Sequence, residues 1–280
     1  MPGRVLTVAE SDSSGAAGVQ ADIKTILALG GYATTAITAV TAQSTQGIDA
    51  THVIDAPLVA GQMRAALSDI GADAIKTGIL MDEKIVNAVG DVLDECQDKN
   101  IAVVIDPSVV GRRDEKFLND AAIAAVKRRL FVRAAVLTPN LKEAELLTGM
   151  PIRDLDDMRK ATDMMRTLGA ETVLLKAGQA LSDRVIYLVA TADEERIYER
   201  QMLNTRHTLG AGCTLASAIA VSLSQGLGIF KSVERALDFI HQAILHAPGY
   251  GGEAGPMNHA FDIEKSSAFF NPESVKIRKV

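Results

Sequence analysis

The sequence has few cysteines, no excess of basic residues and no long apolar run free of charge. Its 280 residues include only Cys96 and Cys213, which belong to no CxxC pair and to no Cys/His cluster with zinc spacing. A disulfide framework is therefore excluded, and a reducing cytoplasm is the expected compartment. Lys and Arg number 29 against 35 Asp and Glu, a formal charge of -6, which disfavours nucleic acid or an anionic membrane as the main partner.

The chain also lacks the segments that direct proteins into or across membranes. The N-terminus has no basic start followed by an apolar run, and no uncharged stretch approaches the roughly 20 residues that cross a bilayer. We expect a soluble, intracellular protein. No Pro/Gly/Ser-rich linker, composition shift or internal repeat divides the chain, so we expect residues 1–280 to form a single domain.

Short segments rich in Val, Ile and Thr alternate with longer segments of helical period, which predicts the secondary structure. The predicted strands are 4–9, 32–42, 74–77, 102–106, 135–138 and 172–176, and the predicted helices are 19–29, 56–70, 83–96, 121–130, 142–147 and 155–168. A hairpin of residues 183–190 and 196–202 follows, then two helices from residues 211 and 229. This order is typical of an α/β protein with a mostly parallel sheet covered on both faces. Only the Gly-rich segment 249–256 is expected to be irregular.

Polar or Gly-rich segments follow several of the predicted strands. In an open parallel sheet, ligands bind beyond the carboxyl ends of the strands. Each segment alone has the residues of an ordinary turn. Their placement after successive strands, however, predicts one ligand-binding site at the carboxyl edge of the sheet. The segments are 9–22, 39–47, 104–111, 137–149 and 174–179.

The segment HTLGAGCTLASAIAVSL, residues 207–223, places glycines and a cysteine where an apolar helix begins. Gly210 and Gly212 let the backbone approach a ligand closely, and the N–H groups of a helix start favour an anion. Neither GxxxxGK[ST] nor GxGxxG is present, so an anion site of another kind is predicted. A helix N-terminus lowers the pKa of a thiol, which makes Cys213 a candidate proton acceptor or nucleophile. The alternative is a small side chain packed under the loop.

Seven segments, in chain order, resemble those of a known enzyme family. They are SDSSGAAGVQADIKT, AITAVTAQSTQG, IKTGIL, VIDPSVV, TPNLKEAELLTG, LLKAG and GAGCTLASAIA, and the match around them runs in order from about residue 5 to residue 246. The chain resembles the hydroxymethylpyrimidine/phosphomethylpyrimidine kinases of thiamin biosynthesis, in the ribokinase-like superfamily. The resemblance implies a three-layer α/β/α sandwich, a Mg²⁺-ATP-dependent phosphorylation of an aminopyrimidine hydroxymethyl group or its monophosphate, and a homodimer.

The resemblance also implies roles for particular residues. Cys213 would deprotonate or orient the substrate oxygen, while the N–H groups before it would stabilise charge on the migrating phosphoryl group. Carboxylates would hold Mg²⁺, and an amide and a carboxylate would hydrogen-bond the pyrimidine. The positions concerned are Gly210, Ala211, Gly212 and Cys213 for catalysis, Asp22, Gln43, Ile79 and Val109 for substrate, Asn140, Lys176 and Thr214 for nucleotide, and Asp106 and Glu143 for metal.

Structural roles are the alternative for several of these residues. Asp106 and Asn140, beside prolines, could shape turns, Asp22 could lie on a solvated helix face, and Gln43 could end a strand. Lys176 is more suggestive of function, because burying an unpaired ammonium is costly. His259, in GPMNH, resembles a C-terminal segment that lies near the active site in the family.

Several residues differ from the usual family pattern, mainly around the substrate. Glu10 occupies a position where glycine lets a ligand approach, and its carboxylate could repel an anionic substrate. Thr-His-Gly-Thr-Gly-Cys becomes Thr-Leu-Gly-Ala-Gly-Cys at 208–213, and methionines are replaced by Ile79 and Val109. Ala16 and Ala177 also replace glycines. These differences affect the substrate pocket more than the ATP site.

Three functions therefore stay open. The first is a kinase of the aminopyrimidine precursor of thiamin. The second is a pyridoxal- or pyridoxine-type vitamin kinase, because an apolar pocket discriminates similar rings only modestly. The third is a catalytically weak relative that binds a vitamin-like molecule without turnover. A thiol-dependent hydrolase is disfavoured, because no His/Asn arrangement of known spacing accompanies Cys213.

Overall fold

The computed structural model describes residues 2–111, 115–178 and 184–263. One nine-stranded sheet has the order β3-β2-β1-β4-β5-β6-β7-β8-β9. The six strands from β2 to β7 in this order are parallel, and β3, β8 and β9 are antiparallel to their neighbours. The strands are β1 (Arg4–Asp12), β2 (Tyr32–Ser44), β3 (Gly47–Val53), β4 (Ala74–Thr77), β5 (Ala102–Ile105), β6 (Val136–Leu137), β7 (Val173–Gly178), β8 (Arg184–Ala190) and β9 (Glu195–Gln201).

Helices follow most of the parallel strands. They are α1 (Gly18–Ala28), α2 (Ala56–Asp69), α3 (Glu83–Asp94), α4 (Asp120–Ala125), α5 (Leu141–Thr148), α6 (Leu155–Thr167), α7 (Ala211–Ser224) and α8 (Ile229–Leu245). After α4 the chain continues as one π-helical turn, Val126–Leu130, and a 3-10 turn, Phe131–Arg133. None of the described helices has the combined length and apolarity of a membrane span.

Two apolar cores lie on opposite faces of the sheet because successive strand residues point in opposite directions. In β1, Leu6 and Val8 belong to the core under α2 to α6, whereas Val5 belongs to the core under α1, α7 and α8. The same division occurs in β4, where Ile75 and Ala74 face opposite cores. The predicted three-layer α/β/α sandwich with a mostly parallel sheet is therefore confirmed.

The β2–β3 hairpin is the main element that the sequence did not predict. Most of β3 is exposed, so its residues show no alternation of apolar and polar side chains. The helix starts at 211 and 229 and the later hairpin, described from residue 184, are confirmed. Residue 183, the predicted start of that hairpin, lies outside the described residues.

Candidate active site

A cavity of about 520 Å³ lies at the carboxyl edge of the parallel strands. Strand ends and helix starts form its wall because the parallel strands all point toward this edge. Residues 43–48 of the β2–β3 hairpin and residues 253–254 also line it. Its lining includes Glu10, Gln43, Ile79, Asp106, Asn140, Glu143, Lys176 and the backbone from Leu209 to Cys213.

The start of α7 forms one wall of the cavity, and its backbone conformation requires glycine. Gly210 has a φ of +85°, and a Cβ there would lie 1.8 Å from the carbonyl oxygen of Ala16. A Cβ at Gly212 would lie 3.4 Å from Asp106 Oδ2 and 3.7 Å from Lys176 Nζ. The N–H groups of the helix start therefore lie beside a carboxylate and an ammonium, which can bind a metal ion and an anion.

The loop between β1 and α1 packs against this helix start. Asp12 is fully buried and holds the loop by accepting hydrogen bonds from the N–H groups of Ser14 at 2.7 Å, Ala16 at 3.1 Å and Ala17 at 2.7 Å. These bonds fix the Ala16 carbonyl that contacts Gly210. Asp12 is thus a structural residue of the site that the sequence analysis did not single out, although Asp followed by Ser-Ser-Gly is a recognisable turn signal.

Cys213 lies on the cavity wall next to the N–H groups of the helix start. Burial raises the pKa of its thiol, the neighbouring carboxyl groups of Asp22, Glu10 and Asp106 raise it further, and the ammonium of Lys76 opposes the shift. The prediction that the helix start lowers this pKa is therefore wrong, because the cost of burying a thiolate outweighs the favourable charges. Cys213 is a thiol at neutral pH.

Asp106, Glu143 and Lys176 form the charged end of the cavity. Lys176 Nζ lies 3.7 Å from Asp106 Oδ1. The pKa of Glu143 is raised to about 7, chiefly by burial and also by the charge of Asp106, while Lys176 opposes the shift. The two carboxyl groups are thus close enough to repel each other when both are ionised, an arrangement that a bound cation relieves.

Asn140 and Glu143 also form the start of α5. Asn140 Oδ1 accepts from the N–H of Glu143 at 2.9 Å, and Glu143 Oε2 accepts from the N–H of Asn140 at 2.9 Å. This reciprocal pair is a capping box. Glu143 Oε1 accepts from the N–H of Val109 at 3.0 Å, so the same carboxyl group also fixes the loop after β5.

Asp22 lies in a buried cluster and is not among the residues lining the cavity. Lys76 Nζ donates to both of its carboxylate oxygens at 3.0 Å, Ser217 Oγ donates to Oδ1 at 2.7 Å, and Thr7 Oγ1 donates to Oδ2. The alternative of a solvated helix face is wrong, because Asp22 is fully buried. Lys76 was missed, although a lysine inside an apolar strand was the same signal that singled out Lys176.

The other predicted site residues divide between the cavity and the core. Gln43 and Ile79 line the cavity. Val109 and Thr214 are fully buried and are not part of the lining. The Thr214 hydroxyl lies 2.9 Å from Nε2 of His259, whose pKa is lowered to about 4, first by burial and then by Lys24. Thr214 therefore joins α7 to the segment after α8.

Glu10 is the residue on the cavity wall whose environment differs most from the sequence expectation. It is only 3% exposed, and burial raises the pKa of its carboxyl group to about 8. At neutral pH it is therefore mainly uncharged, so the expected repulsion of an anionic substrate by a carboxylate is weak.

In the described residues, no group of three or more His, Cys, Asp or Glu side chains is arranged as a metal site. Mg²⁺ usually keeps several waters and binds through one or two carboxylates together with substrate phosphates. Asp106 and Glu143 fit that mode of binding, but not a site made of protein ligands alone.

Comparison with known proteins agrees with this geometry. A family model described as phosphomethylpyrimidine kinase matches residues 12–258. The thiamine biosynthesis bifunctional protein ThiED of Geobacter sulfurreducens is 41% identical over 263 residues, which are 94% of this chain and 53% of that protein, so the chain spans about half of its length. The hydroxymethylpyrimidine/phosphomethylpyrimidine kinase of Bacillus subtilis is 37% identical over 265 residues, 94% of this chain and 97% of that enzyme.

A solved structure gives the same fold. The pyridoxal kinase from Staphylococcus aureus, in complex with AMP-PCP and pyridoxal, has a TM-score of 0.85 and 32% sequence identity to this chain. The similarity covers 94% of this chain and 96% of that one. The family model covers most of the sequence, and the relatives match it at well above 30% identity over nearly its whole length. The chain therefore belongs to the phosphomethylpyrimidine kinase family.

Proposed function

We propose that this protein transfers the γ-phosphoryl group of ATP to 4-amino-5-hydroxymethyl-2-methylpyrimidine, to its monophosphate, or to both, in thiamin biosynthesis. The observation that carries the proposal is the placement of the α7 N–H groups, Cys213, Asp106 and Lys176 around one cavity. Phosphoryl transfer needs little covalent chemistry from a protein and depends on positioning and on stabilising charge.

In the proposed reaction the substrate hydroxymethyl oxygen attacks the γ-phosphorus. The new oxygen–phosphorus bond forms while the bond to the bridging oxygen of ADP breaks, and the N–H groups of residues 210–213 stabilise the charge on the transferred group. Because the Cys213 thiol is protonated, we assign it the orientation of the hydroxymethyl oxygen. The alcohol proton passes to an oxygen of the transferred phosphoryl group.

We assign nucleotide and metal binding to the charged end of the cavity. Asp106 and Glu143 would hold Mg²⁺, and Asn140 and Lys176 would contact the nucleotide phosphates. Mg²⁺, when bound, neutralises the charge of the phosphates. Gln43 and Ile79 keep their proposed contacts with the ring, whereas the buried Asp22, Val109 and Thr214 support the site from behind its wall.

Replacement of the cavity cysteine tests the proposal. We expect Cys213→Ala to lower kcat for the aminopyrimidine alcohol about 100-fold, because the oxygen loses its orienting group. The measurement is the amount of phosphorylated product formed with Mg²⁺-ATP, identified by mass spectrometry. Cys96→Ala is the matched control, since Cys96 is buried after α3 and does not line the cavity. Equal kcat values for the two variants would contradict the role given to Cys213.

A pyridoxal-type vitamin kinase is the second candidate, supported by the similarity to the pyridoxal kinase described above. A panel of pyrimidine and pyridine alcohols, assayed side by side with Mg²⁺-ATP, separates the two functions. Binding of a ring without any phosphorylated product would favour the third candidate, a relative that binds without turnover.

Three further proposals concern the whole chain. A homodimer is supported by the exposed edge strand β3, whose free side can pair with another strand. A single domain over residues 1–280 is supported by the one sheet that joins the described parts of both halves of the chain. A cytoplasmic location is supported by the two free cysteines. Light scattering measures the mass of the particle and so tests the homodimer. A single unfolding transition in urea is the result expected of a single domain.

A further inference from the structure

Glu10 lines the cavity, and one of its carboxyl oxygens lacks a hydrogen-bond partner among the described residues. Glu10 is 3% exposed and lines the cavity, and its Oε2 has no hydrogen-bond partner within the described part of the chain. Buried polar atoms without partners are rare, because leaving them unpaired is costly. The oxygen is enclosed in this structure, so a rotation of the carboxyl group toward the cavity would let a bound ligand supply the missing hydrogen bond.

The local backbone is irregular at Glu10, and two glycines without side chains lie next to its carboxyl group. The register between β1 and β2 shifts between Ala9 and Ser11, at Glu10 itself. Glycines surround the side chain closely: a Cβ at Gly18 would lie 3.0 Å from Glu10 Oε1, and a Cβ at Gly78 would lie 3.9 Å from Oε2. The absence of side chains at these two glycines thus leaves room for the carboxyl group beside the cavity.

The neighbouring charges leave the carboxyl group mainly protonated at pH 7. Its pKa is raised to about 8, chiefly by burial and to a smaller extent by Asp22 on α1 and Asp12 on β1. Lys76 on β4 and the backbone oppose it, but Lys76 is already bonded to both oxygens of Asp22. Glu10 consequently offers one O–H donor beside one acceptor oxygen.

A neutral carboxyl group matches one edge of an aminopyrimidine. That edge presents a ring nitrogen, which accepts a hydrogen bond, next to an exocyclic amine, which donates one. The carboxyl group can donate to the nitrogen and accept from the amine in one plane. The ring nitrogen of a pyridoxal-type alcohol has no neighbouring amine, so it can form only one of the two bonds.

We propose that Glu10 is a specificity-determining residue whose carboxyl group pairs with the ring nitrogen and adjacent amine of an aminopyrimidine substrate, favouring that ring over pyridine alcohols. The inference rests on the proposed function for the identity of the ring. It gives Glu10 the carboxyl contact that the sequence assigned to Asp22, which is buried and already bonded to Lys76, Ser217 and Thr7.

Binding calorimetry without ATP tests this pairing separately from phosphoryl transfer. The titrants are the aminopyrimidine alcohol and pyridoxine, and the proteins are the unaltered chain, Glu10→Gln and Glu10→Leu. Because Leu can form neither bond, we expect it to weaken aminopyrimidine binding about 10- to 100-fold and pyridoxine binding less than about threefold. Gln is neutral and has both a donor and an acceptor, so its aminopyrimidine affinity stays within about threefold of the unaltered chain.

A pH series adds a readout that a merely structural role would not change. Between pH 7 and pH 9 Glu10 ionises and loses its O–H donor, so aminopyrimidine affinity of the unaltered chain falls, while that of Glu10→Gln does not. The other charged and titratable groups facing Glu10 are Asp12, Asp22, Lys76 and Cys213, and they are the same in both proteins. Their contribution therefore cancels in the comparison.

The outcomes separate this inference from the proposed function. Three results would each overturn the inference. Glu10→Leu could lose affinity equally for both rings, Glu10→Gln could bind the aminopyrimidine as weakly as Glu10→Leu does, or the unaltered chain could bind neither ring. A ring preference that depends on Glu10, in a protein that forms no phosphorylated product, would support the inference while refuting the proposed kinase activity. Thermal unfolding of each variant shows whether the fold is kept.

Discussion

At the scale of single residues, the Asp22–Lys76 pair is an ion pair buried inside the protein. Both side chains have zero exposure, yet they carry opposite charges inside the molecule. The pKa of Lys76 is raised although burial lowers it, because the carboxylates of Asp22 and, to a smaller extent, Asp106 stabilise the ammonium. Hydrogen bonds from Thr7 and Ser217 satisfy the carboxylate. The pair therefore links β1, α1, β4 and α7 behind the cavity wall.

Breaking this pair is expected to destabilise the fold. Asp22→Asn leaves the buried ammonium of Lys76 without its counter-charge, and we expect the free energy of unfolding to fall by about 3–5 kcal/mol. Asp73→Asn is the matched control, because Asp73 pairs with Arg4 at the surface, and its loss should be about 0–1 kcal/mol. Urea unfolding measures both. An Asp22→Asn variant of unaltered stability but raised KM would instead show that Asp22 contacts the substrate.

At the scale of elements, the site depends on how closely two turns approach each other. The β1–α1 loop, fixed by Asp12, brings the Ala16 carbonyl against Gly210 at the start of α7. Since a side chain at Gly210 would meet backbone rather than a flexible side chain, the helix start has to move to admit one. The direction of the N–H groups of residues 210–213 is therefore set by this contact.

A methyl group at Gly210 should separate the two turns. We expect Gly210→Ala to lower kcat about 100-fold, because a displacement of about 1 Å in a catalytic group has effects of that size. Gly226→Ala is the control: Gly226 follows the other end of α7 with a φ of +84°, and a Cβ there would meet nothing within 4 Å. It should cost about 1 kcal/mol of stability and leave kcat unchanged. Steady-state kinetics and urea unfolding distinguish the two variants, and an active Gly210→Ala would contradict this account.

At the scale of the whole molecule, the buried carboxyl groups make stability depend on pH. The pKa of Glu10 is raised to about 8 and that of Glu143 to about 7, in both cases chiefly by burial. Between the ordinary pKa of a glutamate and these values, the folded protein binds more protons than the unfolded chain, so stability falls as pH rises. His259 has the opposite effect on stability. Its pKa is lowered to about 4, so between pH 4 and its ordinary pKa the unfolded chain binds more protons and stability rises with pH.

Stability should therefore decline from about pH 6.5 to pH 8.5, because most of the opposing effect of His259 lies between its folded pKa of about 4 and its unfolded pKa near 6.5. Each raised carboxyl group contributes a slope of up to about 1.4 kcal/mol per pH unit between its ordinary pKa and its raised pKa. We expect the Tm of Glu10→Gln to decline less over this interval than that of the unaltered chain. Glu171→Gln, at an exposed position, is the control and should follow the unaltered chain. Parallel curves for all three proteins would show that Glu10 is already ionised near pH 6.5.

Much of the fold could be predicted from the sequence because its signals are local. Strand residues alternate between two cores, and helix period follows each parallel strand, so the sheet, the layers and the starts of α7 and α8 were all predictable. β3 was not, since an exposed strand has no apolar face to produce a pattern. The role of the glycines at the start of α7 was also predictable, because the ability to adopt a positive φ is a property of glycine itself.

The sequence by itself thus determined the α/β architecture and the edge of the sheet at which the polar residues gather. Only the tertiary structure decided which of those residues reach the cavity. Asp22 and Lys76 are 54 positions apart, and their pairing turns a candidate ligand contact into a buried support. Burial likewise reversed the expected pKa shift of Cys213 and leaves Glu10 mainly neutral at pH 7. The charge of a side chain depends on the solvent and partners that distant segments remove or supply, and no local pattern records these.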